Sequence, residues 1–111
     1  MNDATDQPVL LTLVVPPDVE ESVVDWVLAR GEDEGFSTMS GHGHGVSQAV
    51  LSVAEQVAGR QARTFVEIQL PLGRARELLV ELGRDFHRAG FHYWIAPLIE
   101  AGPLREPDET S

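Results

Sequence analysis

Four histidines occur in the 111 residues, and two of them stand in the stretch S-G-H-G-H-G-V-S at residues 40–47, each flanked by glycines. Imidazoles two residues apart share a face of an extended chain, or converge in a glycine-rich turn, and they suit zinc, copper or nickel. Such sites want three or four ligands, so His42 and His44 need a third, and His92 in F-H-Y-W is the candidate. The competing reading is a glycine bend that larger residues resist, with both histidines solvated. A second chemistry is anion binding. Every basic residue is an arginine, and six of the eight (Arg60, Arg63, Arg74, Arg76, Arg84 and Arg88) lie between residues 35 and 98. The guanidinium fork matches phosphate and carboxylate, glycine lets backbone amides approach an anion, and Arg60 and Arg63 are the pair nearest the glycine-histidine motif.

Composition closes off other chemistries. With no cysteine there is no disulfide, thiolate nucleophile or thiolate ligand. No Walker loop, dinucleotide fingerprint or local serine-histidine-aspartate context is present, so the chain is not expected to be an enzyme. The net charge of −10 argues against nucleic acid, which needs clustered cations. Nine acids against one arginine in residues 1–34 carry most of that imbalance. The apolar run from Val9 to Val15 follows acids and ends at Pro16-Pro17, too short for export or spanning, so the expectation is a cytoplasmic protein without membrane insertion.

The elements that must position these residues follow from periodicity. V-L-L-T-L-V-V at residues 9–15 is a β-branched apolar run and predicts a central strand. P-P-D-V-E-E then places a proline and acids where a helix begins, and Val19, Val23, Trp26 and Val27 at spacings of three and four predict a helix over 17–30, stopped by Gly31. Trp26 falls at core spacing, whereas Asp25, Glu81 and Asp85 read as exposed helix positions. Phe36 to Ser40 predicts a short second strand running into the glycine-histidine motif, and Thr64 to Leu70 a third. Leu72, Ala75, Leu79, Leu82 and Phe86 predict a second helix, ended by Gly90, and F-H-Y-W-I-A-P-L-I an edge strand bearing Pro97.

The order β-α-β-β-α-β is the split unit, an α+β ferredoxin-like fold: a four-stranded antiparallel sheet with both helices on one face. The other face needs a cover, which predicts a homo-oligomer using Tyr93 and Trp94. The domain is expected over 8–104, between a disordered N-terminus at 1–7 and a disordered acidic tail at 105–111. Between strands two and three, the segment of about 44–62 is long enough to be functional. Ser52 and Glu55 have capping-box spacing for a short helix, while Leu51, Val53 and Val57 equally fit one face of an extended hairpin arm.

Several stretches resemble the PII signal-transduction proteins. Gly41-His42-Gly43 stands where that family's glycines close strand two and open the T-loop. Ala54-Glu55-Gln56-Val57, Arg63 and Glu67-Ile68 match the return into strand three, and H-Y-W-I-A-P-L-I-E-A from His92 to Ala101 matches the last strand. The fuller pattern is similar to a divergent PII-like branch often encoded beside heavy-metal efflux pumps of the resistance-nodulation-division type. The resemblance implies a homotrimer of PII-like fold that binds an effector between subunits and regulates a partner, here a membrane metal-efflux protein. The effector would be a divalent transition metal or an adenine nucleotide, and the alternative is a metal-buffering module without a signalling role. The implied cleft residues are Gly41, Gly43, Arg60, Arg63, His92 and Arg105. Gly45 stands in place of the family's glutamine, His92 in place of its lysine and Pro103 in place of one arginine, so about half of the phosphate-binding set is missing.

Overall fold

The computed structural model describes residues 4–31, 35–44, 61–87 and 89–105. Strand β1 (Pro8–Val15) leads through a 3-10 turn at Pro17–Val19 into helix α1 (Glu20–Ala29), followed by β2 (Phe36–Gly43), β3 (Gln61–Pro71), helix α2 (Leu72–Asp85) and β4 (His92–Pro97). The strands lie in the order β2-β3-β1-β4, every neighbouring pair antiparallel. This is the expected ferredoxin-like arrangement, with Pro97 on an edge strand.

Alternation along the strands decides what is buried. Val9, Leu11, Leu13 and Val15 on β1 sit opposite Leu70, Ile68, Val66 and Thr64 on β3, and all eight are buried beneath the helices. Onto this layer α1 delivers Val23 and Val27, one turn apart, and α2 delivers Ala75, Leu78 and Leu82. Gly31, at positive φ, follows the C-cap of α1, whereas α2 stops at Asp85 with Phe86 as its cap, so Gly90, expected to end that helix, instead turns the chain into β4.

Three differences from the sequence reading stand out. The first helix starts at Glu20, because Pro17–Val19 forms a 3-10 turn ahead of it. Strands β2 and β3 run further than their apolar patterns, through the pairs Gly41↔Arg63, His42↔Ala62 and Gly43↔Gln61, and so project past the last β1 pair, Val15↔Thr64. Residues 4–6, expected in a disordered terminus, form a 3-10 turn against α2: the Leu72 amide donates to the Gln7 carbonyl at 2.8 Å, and a Cβ at Gly73 would stand 3.0 Å from Thr5 Cβ. Of the 44–62 segment, residues 45–60 lie outside the described residues, as does the tail beyond Arg105. Among the described residues no helix is long and apolar enough to cross a membrane.

Glu81 and Asp85 are not idle surface acids. The Arg30 guanidinium from α1 lies 3.4 Å from the centre of the Trp26 ring and pairs with Asp85 Oδ2 at 3.2 Å and Glu81 Oε1 at 3.5 Å. Trp26 Nε1 donates to the same Asp85 oxygen at 2.7 Å. This clamp joins the two helices, and single-helix periodicity could not show it because its paired members are 51 to 59 residues apart.

Candidate functional site: the uncovered sheet face and the β2–β3 extension

On the side away from the helices the alternation places Leu10, Thr12 and Val14 of β1, Arg63, Phe65 and Glu67 of β3, His92 and Trp94 of β4, and Met39, Gly41 and Gly43 of β2. Phe65 and Trp94 reach towards each other across β1, their rings 6.4 Å apart, and Trp94 and Met39 stay about half exposed. Tyr93, expected to share this face with Trp94, points to the opposite side, because successive strand residues alternate. Thr12, cross-strand partner of both Trp94 and Glu67, is only 1 % exposed, yet its hydroxyl finds no hydrogen-bond partner among the described residues.

Of the opening motif's described glycines, Gly41 has a reason other than a bend. Gly41 and Gly43 lie inside β2, and neither has positive φ. A Cβ at Gly41 would stand 2.5 Å from Phe65 Cε2, so the edge of that ring occupies the place where any side chain would stand. At Gly43 the neighbouring group is Arg63 Cγ, 3.8 Å from where a Cβ would be. Phe65, the partner that makes Gly41 necessary, was not among the candidate residues; its position two residues after Arg63 on the same face was the available signal.

The candidate residues thus divide. Gly41, Gly43 and Arg63 are brought together on the uncovered face of the β2–β3 extension, and His92 shares that face from the far edge strand. His42 points to the helix side, exposed, and His44, also exposed, follows the end of β2. Between His42 and His92 lie three strand spacings, about 14 Å, and the thickness of the sheet. One chain therefore cannot bring both to a single ion, whose nitrogen ligands sit near 2 Å. Among the described residues no group of three or more histidine or acidic side chains has metal-binding geometry. Arg105 ends an exposed segment that leaves the sheet after β4, and Arg60 lies outside the described residues.

Residues 5–105 match a family described as "Protein of unknown function (DUF3240)". The chain belongs to this family. A solved member from Shewanella baltica OS155 superposes with a TM-score of 0.72 at 23% identity, covering 89% of this chain and 98% of that one. CPII from Thiomonas intermedia K12, described as a nitrogen regulatory PII-like protein bound to ADP, AMP and bicarbonate, superposes with a TM-score of 0.63 at 16% identity over 87% of this chain and 97% of that one. A Bacillus cereus protein related to NIF3 matches at 0.57 and 18% identity over 88% of this chain but only 27% of its own length. The comparison with curated proteins found no match. At these identities the likenesses establish the fold, which is that of the PII-like proteins.

Proposed function

We propose that the protein is a PII-like trimeric signalling or sensor protein that acts by binding rather than catalysis. A small effector, a divalent metal or an adenine nucleotide, binds between subunits at the base of the β2–β3 segment and alters how that segment engages a partner, a membrane metal-efflux protein. One observation carries the reading. The uncovered sheet face, apolar over Leu10, Val14, Phe65 and Trp94, is continuous with the extension that holds Gly41, Gly43 and Arg63. A second copy seated on that face would meet these residues, and two copies could bring His92 towards His42 and His44, which one copy cannot do. The likeness to CPII over 87% of this chain, that protein being described with bound ADP and AMP, supports an adenine nucleotide as one effector class.

Light scattering and titration calorimetry test it together. Wild type should give a mass near three subunits, and Trp94→Glu should lower it, because assembly would bury an unpaired charge. Titration with ATP, ADP, AMP and zinc should give saturable binding of at least one. Nucleotide binding should be lost in Arg63→Ala, and metal binding in the double variant His42→Ala, His44→Ala. A monomer at micromolar concentration, or no binding of any of the four, would overturn the reading.

A further inference from the structure

Where β4 begins, the last turns of α2 leave an open cavity of about 410 Å³ between helix and edge strand. Leu13, Leu79, Leu82, Phe86, Phe91 and Tyr93 form its walls, the rings of Phe86 and Phe91 lying 5.3 Å apart. Among the described residues no acid and no arginine lines it, and its polar lining residues are His87 and His92. At the other end of β4 the chain leaves the sheet after Leu98, whose amide donates to the Pro8 carbonyl at 2.9 Å and whose carbonyl accepts from Gln7 Nε2 at 3.1 Å. From there an arm without helix or strand continues to Arg105, and on it Ile99 and Leu104 are fully exposed. A mainly apolar groove that is open among the described residues and an arm with two uncovered apolar side chains thus stand at opposite ends of one strand, about 17–20 Å apart.

We propose that the arm of one copy lays Leu104 into the α2–β4 groove of a second copy. Each chain carries both halves of this contact, so no foreign partner is needed to complete it. The two halves are different surfaces, which makes the contact head-to-tail, and repetition of such a contact closes a ring when the rotation between copies returns to its start, as a trimer requires. The inference rests on the oligomer proposed above and adds a second interface to it, away from the uncovered sheet face. It also carries Arg105, next after Leu104, onto a neighbouring subunit.

The absence of native cysteine makes disulfide trapping a clean test. A Cβ at Gly83, on the groove wall, meets nothing within 4 Å, so Gly83→Cys introduces a thiol without a clash. Full-length Gly83→Cys is mixed with full-length Pro103→Cys, which keeps Leu104, and the mixture is oxidised with copper phenanthroline. The expected product is a disulfide dimer containing one of each chain, identified by mass spectrometry, and lost when Leu104→Ser is added to the Pro103→Cys chain. Failure to form the mixed dimer, or persistence of the same yield with Leu104→Ser, would overturn the arm contact. So would a disulfide formed only within single chains when both cysteines are placed in one. Light scattering on wild type separates the two proposals: a trimer mass without the crosslink removes the arm contact alone, whereas a monomer mass removes the oligomer beneath it.

Discussion

Thr64 and Thr12 are equally buried, one on each side of the sheet, and their hydroxyls fare differently. On the helix side Thr64 Oγ1 donates to Glu20 Oε1 at 2.8 Å, while on the uncovered side Thr12 Oγ1 has no partner among the described residues. The apolar residues divide in the same way. Leu11 is sealed by the helices, whereas its neighbour Leu10 faces outward beside the half-exposed Trp94. One face is completed within the chain, by close-packed aliphatic side chains and a paired hydroxyl. The other carries large apolar groups, a ring pressed onto a glycine and a hydroxyl without a partner among the described residues, and it is the face that the proposed assembly would cover.

The largest test of this contrast compares the two leucines. Leu11→Ala should cost about 3 kcal/mol in urea unfolding whatever the protein concentration, since it opens a cavity in a closed core. Leu10→Ala should cost about 1 kcal/mol or less in dilute protein, and more at concentrations where copies associate, because only association buries it. Equal costs for the two at every concentration would break the comparison.

Gly41→Ala comes next. Forcing a methyl under the Phe65 ring should destabilise by about 1–3 kcal/mol, and most of that should vanish in a Phe65→Leu background, where the overlying ring is gone. A loss that is the same in both backgrounds would mean that the backbone, not the ring, requires glycine.

The smallest effect is expected at Thr12. Thr12→Val removes an unpaired hydroxyl and should leave the isolated chain unchanged or more stable by about 1 kcal/mol. If the hydroxyl is instead satisfied across an interface, the same variant should weaken assembly measured by light scattering while its unfolding in dilute protein is unaffected. The matching Thr64→Val should lower stability, because it breaks an existing bond and takes from the part-buried Glu20 carboxylate the hydroxyl that donates to it.

Much of this was legible in the chain itself. The β-branched run from Val9 to Val15 and the three-and-four spacing in both helices are local signals that place most of the core, although on α2 the fully buried leucine is Leu78 where the spacing pointed to Leu79. The β-α-β-β-α-β order then left few ways to connect four strands, and the sheet has the antiparallel split arrangement that order implies. The glycine-histidine motif is visible in the sequence as a place of chemical interest, and sequence alone offers two reasons for its glycines, a bend and the close approach of backbone amides to an anion.

Tertiary structure reassigned the reason for each part. Gly41 is needed because Phe65, 24 positions further on, lies over it on the paired strand, a contact set by the register Met39↔Phe65 and Gly41↔Arg63. The clamp of Trp26 and Arg30 with Glu81 and Asp85 exists only because two helices pack side by side. Tyr93 and Trp94, adjacent and similar in sequence, were parted by the pleat, one towards the α2 groove and the other onto the uncovered face. His42 and His92, which sequence alone could join in one ligand set, were placed on opposite edges and opposite sides of the sheet. Spacing along the chain determines the face of each element, but distance between elements depends on pairing register and strand order, which no single segment encodes.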